Sequence, residues 1–265
     1  MEQLRTNAEN IAVEVGDWIR KQWANIKKVD LKSNHTDLVT NIDRKSEELI
    51  MKKIKERYIH HHILSEEQAN GQNGFSILAS YDDYCWVIDP LDGTMNFVHN
   101  ISHYAVSIAV MKNGDPIVGV IYEPNRRELF SAEKGKGAFL NGQPIQVSKQ
   151  DRLEDSLLHT GFCAPDWNVN SSLQSEFQKG YGRCRYIRIT GSSALDLAYV
   201  ASGRIDGFWQ RGLSPWDIAA GVLLVEEAGG RVSGIKNEDY RMKDGNMIAS
   251  NSKIHLPLYE MLNKD

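Results

Sequence analysis

A chain of 265 residues with 41% apolar and 25% charged residues is long enough to bury a large core, and its composition is ordinary for a globular protein. A net charge of −4 argues against a general grip on nucleic acid, which needs a dense basic face, and no run of about 18 apolar residues exists to cross a bilayer. The opening MEQLRTNAEN carries acid and amide where a secretory signal places lysine before an apolar run, so a cytoplasmic protein without a membrane partner is expected.

Leu4, Ala8, Ile11, Val15, Trp18 and Ile19 recur at helical spacing and predict an amphipathic helix from residue 3 to about 24. A second helix begins near TNID and runs through Leu49, Ile50 and Ile54, with Asp43 in its first turn. From Tyr84 short apolar runs alternate with turn dipeptides. Hairpins at Asn113-Gly114 and Asn141-Gly142 make this part an antiparallel meander. After about residue 150 strands and helices alternate: SLLHT, a helix near 171–179, CRYIRI, a helix through SSALDLAYVASG, IDGFWQ, and a long helix from Pro215 to Ala228. The expectation is an α/β (α+β) chain in two lobes, 1–150 and 151–265, forming one compact unit. Cys85, Cys163 and Cys184 form no C-x-x-C pair and read as buried free thiols.

The stretch VIDPLDGT places Asp89 and Asp92 three apart at the end of an apolar run. In a regular strand such residues face opposite ways, so they converge only where the chain bends, and Pro90 supports a bend. Gly93, without a side chain, lets backbone N–H groups approach a phosphate oxygen. Taken alone, DPLDG reads equally well as an Asx turn. Further acids tip the balance toward a cation site: Glu66 and Glu67 follow the short run Ile63-Leu64, and Asp217 opens a helix behind Pro215. By itself Asp217 is a helix cap, and Asp43 forms a capping box with Thr40. Oxygen ligands without histidine or thiol spacing suit magnesium before manganese or calcium. His60-His61-His62 would face alternate sides of an extended chain, and no other ligand spacing supports a soft metal there.

The blocks DLVTNID, SEEQ, DPLDGTMNFVHN and PWDIAAGVLLVEEAGG, in this order and spacing, resemble the inositol monophosphatase family. The resemblance implies a layered α/β/α/β/α sandwich with an antiparallel N-terminal sheet and a smaller C-terminal sheet, a homodimer, lithium sensitivity, and two to three Mg2+ per site. It implies Glu66, Asp89, Asp92, Asp217 and the main-chain oxygen of Leu91 as metal ligands, with Asp89 bridging two ions. Thr94 and Asp43 would orient the attacking water, helped by Glu66. Gly93 and Thr94 would hold the phosphate, with Lys32 nearby, and Gly191, Ser192, Ser193, Gln210 and Asp217 would meet the rest of the substrate. Gln210 stands where a glutamate is typical of the animal enzymes. Arg183, Arg185 and Arg188 read either as a solvated strand face or as a site for a second phosphate.

The function implied is a magnesium-dependent phosphomonoesterase for a small phosphorylated polyol, sugar or nucleotide: inositol 1-phosphate first, then fructose 1,6-bisphosphate or the 2′-phosphate of NADP. The spacing D-x-x-D-G-T argues against the aspartyl-phosphate phosphatases, whose motif is D-x-D-G-T. The remaining alternative is a non-catalytic, metal-regulated binding or assembly protein on the phosphatase fold.

Overall fold

The N-terminal stripe forms helix α1 (Glu2–Ile19), which buries Leu4, Ala8, Ile11, Val15 and Ile19 along one face. The structure is a computed structural model that describes residues 1–26, 28–31, 38–69, 71–162, 172–236, 238, 240 and 242–263. The helix ends at Ile19 rather than near residue 24, because Arg20, Lys21 and Gln22 offer no apolar side chain to its buried face. Trp23–Asn25 instead make a 3₁₀ turn with Trp23 exposed. An antiparallel ribbon, β1 (Val29–Leu31) with β2 (Leu38–Thr40), leads into α2 (Asn41–Arg57). The expected capping box is present: Thr40 Oγ1 accepts from Ile42 N–H at 3.0 Å, and Asp43 Oδ2 accepts from Thr40 N–H at 2.8 Å.

The chain continues through β3 (His62–Ser65), α3 (Glu66–Ala69), α4 (Gly74–Leu78), β4 (Tyr84–Asp92) and α5 (Thr94–Val98). It then enters the meander β5 (Ala105–Lys112), β6 (Asp115–Glu123), β7 (Glu128–Glu133), β8 (Ala138–Leu140) and β9 (Gln143–Ile145). Strands β4 to β9 pair antiparallel in chain order, and both Asn-Gly turns have positive φ at each residue. The sheet is not wholly antiparallel: β3 adds at its edge parallel to β4. Parallel neighbours need a long crossover, and residues 66–83, with α3 and α4, supply it.

Beyond β10 (Leu157–Thr160) come α6 (Ser172–Gly180), β11 (Tyr186–Ile189), α7 (Ser193–Ala201), β12 (Gly207–Gln210), α8 (Pro215–Glu227), β13 (Arg231–Gly234), β14 (Met247–Ser250) and α9 (His255–Asn263). The five strands order β11-β10-β12-β14-β13, parallel around β10 and antiparallel around β14.

Alternation along the strands sorts side chains into layers. Trp86, Ile88, Val106, Ile108, Val118 and Val120 pack against α1 and α2. Cys85, Val87, Ala105, Ala109 and Ile121 face α7 and α8, which meet Phe208, Met247 and Ala249 of the small sheet on their other side. Trp209 and Ile248 point away from that layer, toward Leu258 and Met261 of α9. The order is helix, seven-stranded sheet, helix, five-stranded sheet, helix, which is the expected α/β/α/β/α sandwich. Among the described residues no helix is long and apolar enough to cross a membrane.

Candidate active site

Strand β4 carries a bulge where the sequence places Pro90. Asp89 lies opposite Ser107 and Asp92 opposite Ala105, so three steps along β4 match two along β5. The extra residue changes which face each side chain takes. Leu91 turns into the core beneath α1 and α2, while Asp89 and Asp92 both face the α8 side. Asp217 arrives there as the third residue of α8, whose first turn is tied to the large sheet by Ser107 Oγ donating to Trp216 O at 3.3 Å. One oxygen of each of Asp89, Asp92 and Asp217 lies within 4.8 Å of the others.

Each of these carboxylates has one oxygen held by the protein's own backbone. Asp89 Oδ1 accepts from Leu91 N–H at 2.9 Å, Asp92 Oδ2 from Ala194 N–H at 3.0 Å, and Asp217 Oδ2 from Ser214 N–H at 2.7 Å. Asp92 Oδ2 also accepts from the Ser192 hydroxyl. Burial first, then the charges of Glu66, Asp92 and Asp217, hold Asp89 well above the usual carboxylate range. Burial pushes Asp92 up to about 7, against the opposing bonds from Ser192 and Ala194.

Beside the acids, Thr94 Oγ1 lies 2.8 Å from Asp43 Oδ1 and 3.0 Å from the carbonyl oxygen of Leu91. A hydroxyl has one proton to give, so a cation on the Leu91 oxygen would direct it to Asp43. Asp43 is 1% exposed, and burial raises it too. Gly93 caps α5 with φ +94°, and a Cβ there would sit 3.0 Å from the His103 carbonyl oxygen, so both conformation and space require glycine.

A family model described as the inositol monophosphatase family matches residues 1–264. The chain belongs to the inositol monophosphatase family. It is 41% identical over 256 residues to a Synechocystis protein named inositol-1-monophosphatase, covering 96% of this chain and 87% of that one. It is also 41% identical over 250 residues to Nus factor SuhB of Escherichia coli K12, covering 92% and 91%. Among solved structures, the extragenic suppressor protein suhB of Bartonella henselae superposes with a TM-score of 0.89 at 34% identity, covering 99% of each chain.

In this inositol monophosphatase family member the donor set fits a hard divalent cation. Its ligand candidates are all oxygen, three carboxylates lie in one close group, and Asp89 and Asp92 form no ion pair among the described residues. Glu66 opens α3, outside the group of three, yet its charge acts on Asp43, Asp89 and Asp92 alike. Lys32 and Cys163 lie outside the described residues. Ser192 is 2% exposed and its hydroxyl donates to Asp92. Ser193 Oγ donates to Gln210 Oε1 at 3.1 Å.

Two other sequence features, the histidine run and Cys85, have packing explanations. His61 stacks between Tyr58 and Tyr84, with its Nδ1 accepting from Trp86 Nε1 at 3.1 Å, and His62 stacks on Tyr81. Arg183, Arg185 and Arg188 are exposed, Arg185 pairing with Asp155 at 2.8 Å. Cys85 is buried, its thiol pushed up to about 12 by burial.

Sequence reasoning missed Asn96. Its Nδ2 donates to His103 O at 2.8 Å and Thr190 O at 2.9 Å, stitching the motif after β4 to the turn before α7. The available signal was a lone amide inside the apolar segment TMNFV.

Proposed function

We propose that the chain is a magnesium-dependent phosphomonoesterase acting first on inositol 1-phosphate, with fructose 1,6-bisphosphate and the 2′-phosphate of NADP as further substrates. The observation that carries this reading is the buried, oxygen-only group Asp89, Asp92 and Asp217 beside the Thr94–Asp43 pair. Asp89, Asp92, Asp217, Glu66 and the Leu91 carbonyl would hold two to three Mg2+. Bound there, the cations supply Lewis acidity, neutralising phosphoryl charge and acidifying water. Thr94 gives its proton to Asp43 and accepts from the attacking water, which fixes that water in line with the phosphorus. Asp43, raised by burial, is a competent proton acceptor in this pair. Backbone N–H groups of Gly93 and Thr94 meet the phosphate, as does Lys32. Gly191, Ser192, Ser193 and Gln210 meet the organic part. We read 1–150 and 151–265 as two lobes of one catalytic unit, and that unit as half of a homodimer.

The test is phosphate release from the three substrates with Mg2+ supplied or chelated, and with lithium as competitor. Release that needs Mg2+ and falls with lithium is expected. Release unaffected by chelation would sink the reading. Thr94→Ala is expected to lower kcat about a hundredfold or more with little change in KM, because the side chain places the water and the backbone N–H that meets the phosphate is kept. A loss confined to KM would remove that role.

The relative named as a Nus factor favours a second reading, a metal-regulated binding or assembly protein on the same fold. Cation binding without release from any substrate would select it. A neutral Gln210 also widens the substrate range in prospect, since an amide donates as well as accepts and leaves no charge to repel a second anionic group.

A further inference from the structure

Behind Asp92 lies a second buried acid that the proposed chemistry does not use. Asp196, in the first turn of α7, is 1% exposed. Its Oδ1 accepts from Thr190 Oγ1 at 2.7 Å and from His159 Nδ1 at 2.5 Å. His159, on β10, is 2% exposed, and its Nε2 has no partner among the described residues, so the bond to Asp196 is what fixes this imidazole. Burying a carboxylate and an imidazole together costs more than filling the same space with apolar side chains, so the pair calls for an explanation beyond core filling.

The explanation lies in what Asp196 holds. Thr190 begins the turn that enters α7, and Asn96 Nδ2 donates to the carbonyl of the same residue at 2.9 Å. Asp196 N–H donates to Ser192 O at 3.0 Å, so both ends of Asp196 close on this turn. Within it, the Ser192 hydroxyl and Ala194 N–H both donate to Asp92 Oδ2. Releasing the Thr190 side chain would free the turn to rotate and let Asp92 swing. We propose that Asp196 is a positioning residue for the cation site: through Thr190 it fixes the 190–194 turn whose Ser192 and Ala194 groups aim Asp92. This proposal rests on the cation-site reading above. Groups that orient a metal's ligands contribute strongly to affinity without touching the metal.

Calorimetric titration of Mn2+ into the full chain tests this, with melting temperatures measured beside it. Thr190→Val, which keeps shape and removes the hydroxyl, should weaken Mn2+ binding about tenfold, as should Asp196→Asn, while Thr190→Ser stays within about twofold of wild type. Ser233→Ala is the control. It breaks another buried contact, to His255 Nε2 at 2.9 Å on the far strands, and should lower the melting temperature without moving Mn2+ affinity. Unchanged affinity in Thr190→Val, or an equal loss in Ser233→Ala, overturns the proposal. A wild type that takes up no Mn2+ overturns the cation-site reading, and this proposal with it.

Discussion

Asp89→Asn is expected to fold, to melt at a higher temperature than wild type when divalent cations are removed, and to turn over phosphomonoesters at least about a thousandfold more slowly. Asp89 is 2% exposed and burial disfavours its charge before Glu66, Asp92 and Asp217 add their repulsion. An amide of the same shape keeps the bond from Leu91 N–H and removes the charge, so the cation-free fold is relieved. In a chain of this length each kcal/mol of relief is about 2–3 °C in Tm. Added Mg2+ should raise the wild-type Tm and leave the variant's nearly unchanged, because only the wild type keeps its full ligand set. Differential scanning calorimetry with and without Mg2+, beside a phosphate-release assay, measures all three effects. Near-normal turnover would remove Asp89 from the cation site. A lower Tm in the cation-free variant would mean that its charge is already compensated within the fold.

The part of the fold legible in the sequence is the part set by local rules. The stripe of α1, the Thr40–Asp43 capping box, the Pro215 start of α8 and the two Asn-Gly turns each carry their signal within a few residues, and each appears as expected. The misreadings need contacts from elsewhere. That β3 pairs parallel to β4 depends on a crossover through two helices of four and five residues, too short to show periodicity. Strands β13 and β14 read as neither turn nor alternation, because each is a run of four residues buried on both faces or nearly so.

The site divides the same way. The requirement for a bend between Asp89 and Asp92 followed from strand geometry, and the bulge against Ser107 and Ala105 meets it. That Asp217 completes the group could be suggested by the company of the other acids but not decided without the resemblance, since nothing within PWDIAAG separates a cap from a ligand, and in the structure its Oδ2 caps α8. Asn96, Ala194 and the His159–Asp196 pair act across separations of tens of residues, through an amide, a backbone N–H and a buried polar contact. Single residues of those types have too many ordinary uses for their role to be read before the fold is known.

Metal-free protein should lose stability as pH rises from about 4 to about 7, the reverse of ordinary acid unfolding for these groups. Asp92 is pushed up to about 7 by burial, and Asp89 and Asp43 are raised in the same direction. Below the unfolded value of about 3.9 both states hold the proton, and the stabilising contribution is complete. Between there and the folded value the unfolded chain ionises first, so each such group removes up to about 1.4 kcal/mol per pH unit from the fold. A divalent cation displaces those protons. Its affinity should therefore climb across the same window, with at least one proton released per binding event near pH 6, by the same linkage at about one proton per raised group. Titrating Mg2+ in two buffers of different ionisation enthalpy counts those protons directly. Affinity independent of pH from about 5 to about 8, or no proton released near pH 6, would mean that Asp89 and Asp92 are already ionised in the metal-free fold. The cation would then not be what balances their burial.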